Sequence, residues 1–370
     1  MVVESLRTLS FRNLEAAELE LGAGVTLLHG PNGAGKTNVL EALYFALTGR
    51  SCRTRTDRET IAFGEPLSRA EAVVADGDER REFLGAVERD GARRHLVDGS
   101  PADASRPGVR PAIAVFMPDR LSLVKGAPAE RRAHLDGFAT ALRPAQGEVR
   151  RRYSRALGQR NALLGRIRRG QAGAESLDAW DAELADAGVE LIASRAEAVA
   201  QLAGPCASAA ADLGLEGDAA VTYRPRSQAE SAAELREELG ERRESDLTRG
   251  FSSHGPHLDD LALERAGKAL RRYGSQGQQR TTLLALLFAE RDVLLAERRE
   301  PPLLLLDDVT SELDPTRREL LCERLVAGGG QALVTATEAD HLPASCPRVE
   351  IAMRSGAPVR SVGPTATEAA

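Results

Sequence analysis

The segment that most restricts what this chain can fold into is Gly30-Pro31-Asn32-Gly33-Ala34-Gly35-Lys36-Thr37, which fits G-x-x-x-x-G-K-[ST]. It follows an apolar stretch, Val25-Thr26-Leu27-Leu28, that reads as a strand. It opens a segment in which Leu40, Leu43 and Leu47 share one helical face. Glycines in such a loop let backbone N–H groups curl around a phosphate with no Cβ in the way, and the helix N-terminus adds partial positive charge. In that setting Lys36 is expected to reach the β- and γ-phosphates of ATP, and Thr37 to place its hydroxyl on Mg²⁺. The nucleotide-binding segment therefore runs from Gly30 through Pro31, Asn32, Gly33, Ala34, Gly35, Lys36 and Thr37 to Asn38. Lysine occurs only at positions 36, 125 and 268, and the other 46 basic residues are arginine. A codon bias towards arginine accounts for that skew, and Lys36 stands out against it.

A second anchor lies near the other end of the chain. Two prolines introduce Leu303-Leu304-Leu305-Leu306-Asp307-Asp308, the form of a Walker B strand. A continuous apolar run suits a parallel sheet covered on both faces. A carboxylate at its end is placed to hold Mg²⁺, which assigns Asp307 to the metal and Asp308, the next residue, to orienting the attacking water.

Between the anchors, probable strands at Glu71–Ala75, Arg81–Glu88, His95–Val97 and Ile113–Met117 follow two at Leu6–Phe11 and Val25–Leu28. From Ala129 to about 213 turn signals thin out, and alanine, arginine and glutamate dominate. Leu177, Trp180, Leu184, Ala187 and Leu191 keep heptad spacing for only two to three heptads, which predicts a helical lobe rather than a rod. Strand character resumes at Val221-Thr222-Tyr223, and Ala229–Thr248 reads as an exposed charged helix. An apolar helix is expected over 278–296, a helix over 315–327, and strands over 331–335 and 348–353. Residues 355–370 read as a solvated tail. The expected division is a head part over 1–128, a helical lobe over 129–225, a second head part over 226–354 and the tail.

The 370 residues are 42% hydrophobic and 28% charged with a net charge of −6, which excludes bulk disorder and a uniformly basic nucleic-acid binder. The apolar runs are too short to span a bilayer, and no signal peptide is apparent, so a cytoplasmic protein is expected. Cys52, Cys206, Cys322 and Cys346 lack the spacing of a zinc site or a disulfide framework.

Two further segments narrow the class. Gly274-Ser275-Gln276-Gly277-Gln278-Gln279-Arg280 begins a helix about thirty residues before Asp307. It resembles the signature loop of ABC-type ATPases, in which a serine and a glycine of one subunit cap the γ-phosphate held by the other. Ser311-Glu312-Leu313-Asp314 resembles the D-loop of the same class. Taken with HGPNGAGKTNVLEALYFALTGRSCRT (29–54), FMPDRLSLVKGAPAERRAHLD (116–136) and GPHLDD (255–260), these stretches together resemble the RecF family. That family comprises bacterial recombination-mediator ATPases related to SMC and Rad50 proteins. The resemblance spans nearly the whole chain. Only 239 positions separate Lys36 from Ser275, which leaves no room for the long coiled coil of SMC and Rad50.

The resemblance implies an α/β, ABC-type ATPase head with an inserted helical lobe, and ATP with Mg²⁺ as cofactors. It implies an ATP-dependent homodimer in which Ser275, Gly277 and Gln278 complete the partner's nucleotide site. It further implies DNA damage repair, replication and SOS-linked function through duplex DNA clamped near single-strand gaps, with RecO and RecR as partners, RecA loaded as a result, and slow hydrolysis resetting the clamp. An SMC-like head that serves as a protein scaffold is the alternative, and a transporter subunit is disfavoured by the SQGQQ loop and the lobe. Three departures stand out. Leu258 occupies a position that is usually basic in the family. No Q-loop glutamine is evident, leaving Asp119 in that region. Thr335-Ala336-Thr337-Glu338 stands where transporters carry a switch histidine, with His341 further along.

His254 and His257 lack a third ligand for a metal pair, and a turn packed against the lobe is the favoured role. Arg50, Arg53, Arg55 and Arg58 form the densest basic run near the phosphate loop. The run reads either as a solvated edge or as a contact to nucleotide or DNA phosphates, and Arg50, Arg53 and Arg55 are the DNA candidates, since phosphate contacts position a protein without base readout. Arg150-Arg151-Arg152 and Arg166–Arg169 read as charged helix faces.

Overall fold

The computed structural model describes residues 1–54, 56–102, 112–117, 121–311 and 313–359. In chain order the first compact unit contains β1 (Val2–Phe11), β2 (Leu14–Glu20), β3 (Val25–His29), α1 (Lys36–Thr48), β4 (Leu67–Asp76), β5 (Glu79–Glu88), β6 (Arg93–Val97), β7 (Ser100–Pro101) and β8 (Ile113–Phe116). The second unit contains α2 (Ser122–Lys125), α3 (Pro128–Leu142), α4 (Gln146–Arg168), α5 (Leu177–Asp212), β9 (Ala219–Arg224), α6 (Ala232–Glu241), α7 (Arg243–Arg249), β10 (Asp260–Arg265), β11 (Lys268–Ala269), α8 (Leu270–Tyr273) and α9 (Gln276–Arg298). The chain then rejoins the first unit with β12 (Leu303–Leu306), α10 (Pro315–Ala327), β13 (Ala332–Ala336), β14 (Arg348–Arg354) and β15 (Ala357–Val359).

The first unit carries two sheets. One is antiparallel, in the order β2-β1-β4-β5-β6-β7; the other runs β15-β14-β3-β13-β12-β8, parallel except for β15. The parallel centre is buried: β12 is four leucines, and β3 and β13 expose almost nothing. Helix α1 packs against β1, β4 and β5 of one sheet and β13 of the other. Its Val39, Leu43 and Phe45 join Leu6, Phe11, Phe83, Leu305 and Leu333 in one core. β2 was not evident from alternation, because Leu-Glu-Ala-Ala-Glu-Leu-Glu is rich in helix formers. Pairing with β1, with Leu6 opposite Leu19 and Thr8 opposite Ala17, overrides that preference.

The expected tail is corrected at its start. Residues 357–359 form β15, paired antiparallel with β14 through the turn Ser355-Gly356, both at positive φ (50° and 81°). Two left-handed residues make the hairpin turn whose twist matches the strands, and serine–glycine is suited to it. Residues 360–370 lie outside the described residues.

In the second unit, 36-residue α5 packs along α9 and α4. The heptad positions Leu177, Leu184, Ala187 and Leu191 are buried. The expected helix over 229–248 is two helices, α6 and α7, and Leu235 and Leu239 of α6 are buried rather than exposed. The units also divide the chain differently from the expected boundaries at 129 and 225. Residues up to Arg298 belong with the helical lobe, because α9 packs along α5. No helix among the described residues is long and apolar enough to cross a membrane.

Candidate nucleotide site

Strand β3 delivers the chain into the 30–35 loop at Gly30, whose φ of 147° excludes other residues. A Cβ there would lie 2.2 Å from the Met353 carbonyl oxygen of β14. Gly35 caps α1, and Lys36 folds back over the loop, its Nζ donating to the Gly30 and Pro31 carbonyls at 2.6 and 3.0 Å. Burial lowers the Lys36 pKa, and the nearby Asp307 and Asp308 oppose that shift. The ammonium is thus held by two neutral carbonyls, a weak hold that a phosphate can replace.

Thr37 and Asp307, far apart in sequence, meet here. The Thr37 hydroxyl lies 2.8 and 3.0 Å from the two Asp307 carboxylate oxygens. Thr335 of β13 fixes the same carboxylate by donating to Oδ1 at 2.7 Å, and its oxygen accepts from the Asp308 amide at 2.9 Å. Burial raises the Asp307 pKa, Thr335 and Thr37 counteract it, and the adjacent Asp308 adds to the rise. Asp308 sits at φ 50°, an uncommon conformation for a residue with a Cβ, and its Oδ2 accepts from the Ser311 hydroxyl at 3.1 Å.

These groups border a cavity of about 360 Å³, within the range of small-ligand sites. Asn32, Gly33, Ala34, Gly35, Lys36, Thr37, Asn38, Asp307 and Asp308 all line it, as the sequence anticipates. Exposed Pro31 contributes its carbonyl to Lys36 rather than a wall. Asn13, Thr335 and Thr337 also line the cavity and were missed. Asn13 bridges the loop to α1, donating to the Gly33 carbonyl at 2.8 Å and accepting from Asn38 at 2.7 Å. Their signal is faint, a turn asparagine and two threonines at a strand end.

Arg53 lines this cavity too, on the nucleotide side of the two phosphate contacts expected for it. Its Nη1 donates to Asn38 Oδ1 at 2.9 Å and to Glu41 Oε2 at 3.0 Å. Glu41 has no exposed side-chain surface and also binds Arg12 (2.9 Å) and Ser51 (2.6 Å). Burial alone would raise its pKa, but Arg12, Ser51 and Arg53 hold it below the ordinary carboxylate value. Arg50 is exposed; Arg55, Asp119 and Glu312 lie outside the described residues.

The signature residues sit in the second unit, where Ser275 and Gln278 form a reciprocal cap on α9. Gln278 N–H donates to Ser275 Oγ at 3.3 Å, and Ser275 N–H donates to Gln278 Oε1 at 2.9 Å. Ser275 is exposed, and Gly277 has open space where a Cβ would stand. His254 and His257 do not form a metal pair. His254 Nε2 lies 2.6 Å from Glu238, and His257 lies between the Tyr153 hydroxyl and the Ser252 carbonyl.

A family model described as an AAA domain matches residues 5–98. DNA replication and repair protein RecF of Heliobacterium modesticaldum is 37% identical over 364 residues, 94% of each chain. That of Anaeromyxobacter dehalogenans is 41% identical, covering 91% of this chain and 93% of its own. A solved structure of the recombination mediator RecF with ATP, from the RecFOR pathway, superposes with a TM-score of 0.86 at 25% identity over 98% of both chains. An SMC head bound to the C-terminal winged-helix domain of ScpA superposes at 0.58 and 17% identity over 97% of this chain and 96% of its own, which shows the shared ABC-type head fold. The chain belongs to the RecF family of DNA replication and repair proteins.

Proposed function

We propose that this protein is an ATP-switched, DNA-binding recombination mediator. The observation that carries the reading is the convergence of Lys36, Thr37, Asp307 and Asp308 on one cavity. The exposed backbone of residues 31–33 and the N-terminus of α1 suit a triphosphate, and Lys36 leaves its carbonyl partners for the β- and γ-phosphates. Arg53, lining the same cavity, adds a second cation for phosphate. Thr37 and Asp307 offer adjacent hard oxygen donors, and the raised Asp307 pKa marks a carboxylate short of positive charge, so this set fits Mg²⁺. Mg²⁺ bound there supplies charge neutralisation at the phosphate oxygens. Asp308, fixed by Ser311, orients the attacking water.

Ser275 and Gly277 of one subunit cap the γ-phosphate of a second, so ATP closes a homodimer around duplex DNA near single-strand gaps. The closed form works with RecO and RecR towards RecA loading in the cytoplasm, and slow hydrolysis reopens it. ATP shifts the monomer–dimer equilibrium only through contacts it gains in the closed form. Sedimentation with ATP, with ADP and without nucleotide tests this, alongside Ser275→Arg. The parent dimerises on ATP and binds DNA; Ser275→Arg binds ATP but stays monomeric. A folded, ATP-binding variant that still dimerises removes Ser275 from the shared site. A parent that dimerises without binding DNA supports the scaffold alternative.

A further inference from the structure

We propose that Lys268, Arg271, Arg272 and Tyr273, immediately before the signature segment, form a docking surface for the phosphate backbone of DNA. The proposal rests on the DNA-binding reading above and assigns it a surface. The hairpin of β10 and β11 places Arg265 directly opposite Lys268. Like charges at directly opposed strand positions are destabilising, and an anionic ligand removes that cost. Arg271 and Arg272 extend the cluster, and both are exposed with Lys268. Among the described residues none of these three makes an ion pair, and Arg265 donates only to the Glu216 carbonyl. Glu264, the acidic neighbour on β10, is already paired with Arg224.

Two of the other basic stretches are neutralised by neighbouring carboxylates, whereas Arg168 and Arg169 donate to the Arg249 carbonyl and to Gln171. Arg151 pairs with Glu148, and Arg152 with Glu183 and Glu190. Arg53 is held by Glu41. Tyr273 adds an aromatic side chain 67% exposed among these cations. An exposed tyrosine that directly follows two exposed arginines offers a stacking platform for an unstacked base beside contacts to phosphates, a pairing suited to nucleic acid. The surface is tied to the signature segment, because the buried Gln279 amide donates to both the Leu270 and Gly274 carbonyls.

The test measures binding of a fluorescent gapped duplex, with ATP and over a salt series, for the parent, Lys268→Ala/Arg271→Ala/Arg272→Ala and Tyr273→Ala. Melting and ATP-linked sedimentation confirm that the variants fold and dimerise. Removing three phosphate contacts lowers the slope of log affinity against log salt by about 2.7. Tyr273→Ala weakens binding about 5- to 150-fold on the gapped substrate, with a smaller change on intact duplex. A parent that binds DNA with a triple variant of equal affinity and slope overturns the surface and leaves the DNA-binding reading standing. A parent that does not bind DNA overturns both. Affinity lost without a change of slope also overturns the surface, since phosphate contact must change it.

Discussion

Asp307 of the first unit and Arg160 of the second are both buried charged groups, but they are compensated in opposite ways. Asp307 is held by two hydroxyls, and burial raises its pKa. Lys36, across the same cavity, is held by two neutral carbonyls, and burial lowers its pKa. Each is left with too little opposite charge. In the second unit Arg160 binds Asp181 at 2.6 Å and Asp246 at 2.7 Å, all three fully or almost fully buried. Arg195 binds Asp136 and Asp259, both at 2.8 Å. Burial alone would lower the Arg195 pKa, but those two carboxylates hold it above its ordinary value. Charges matched to one another build a scaffold, whereas charges left short of a counterion await a ligand.

The comparison breaks most visibly at Arg160. Arg160→Ala leaves Asp246 buried without its cation and Asp181 with Arg243 alone, and removing one partner of a buried pair costs about 3–5 kcal/mol. Chemical unfolding of the two proteins reads that loss directly. An apolar replacement of the whole cluster recovers most of it, since matched burial contributes little net stability. A loss below about 1 kcal/mol on Arg160→Ala would show that the cluster is solvated, and the contrast with the cavity would fail.

Lys36 gives the next largest effect and should spare stability. Lys36→Met removes the cation from the phosphates, worth about 1.5–3 kcal/mol for a charged hydrogen bond, so ATP affinity falls roughly 10- to 150-fold. Its melting temperature without nucleotide stays level or rises, because a desolvated ammonium is removed. Calorimetric titration with ATP and a melting curve check both halves. Equal ATP affinity would remove Lys36 from the phosphate site.

The two regions also differ in how legible they were. The cavity could be read because phosphate binding needs contiguous backbone and fixed residue types, so Gly30–Thr37 and Leu303–Asp308 announce themselves. The ion pairs could not, because Arg160 reaches Asp246 across 86 positions and Arg195 reaches Asp259 across 64, with no local pattern to mark either. Which phosphate Arg53 faces was not legible, because nothing in the sequence indicates that Glu41, on a mostly apolar helix, would hold it beside the cavity. β2 was missed where local propensity opposed long-range pairing, and Thr335 because its role depends on β13 lying beside β12.

The smallest effect concerns Asp307 and carries a sign. Its folded pKa is raised above the ordinary carboxylate value, chiefly by burial. Between the unfolded and folded pKa values the folded state holds a proton that the unfolded state has released, so stability falls as pH rises through that window. Above the folded pKa the penalty is fully present; below the unfolded value it has gone. Asp307→Asn removes the titrating charge while keeping an oxygen for Thr37 and Thr335. It should therefore melt slightly higher than the parent at neutral pH, with the difference closing as pH falls towards the ordinary aspartate range. Added Mg²⁺ and ATP reverse the order, because ligand binding stabilises only the protein that binds it. Melting curves over pH, with and without Mg²⁺ and ATP, measure all three arms. An Asn variant less stable than the parent at neutral pH without nucleotide would mean that the Asp307 charge is satisfied by the fold itself. Asp307 would then belong with Arg160 among the scaffold charges.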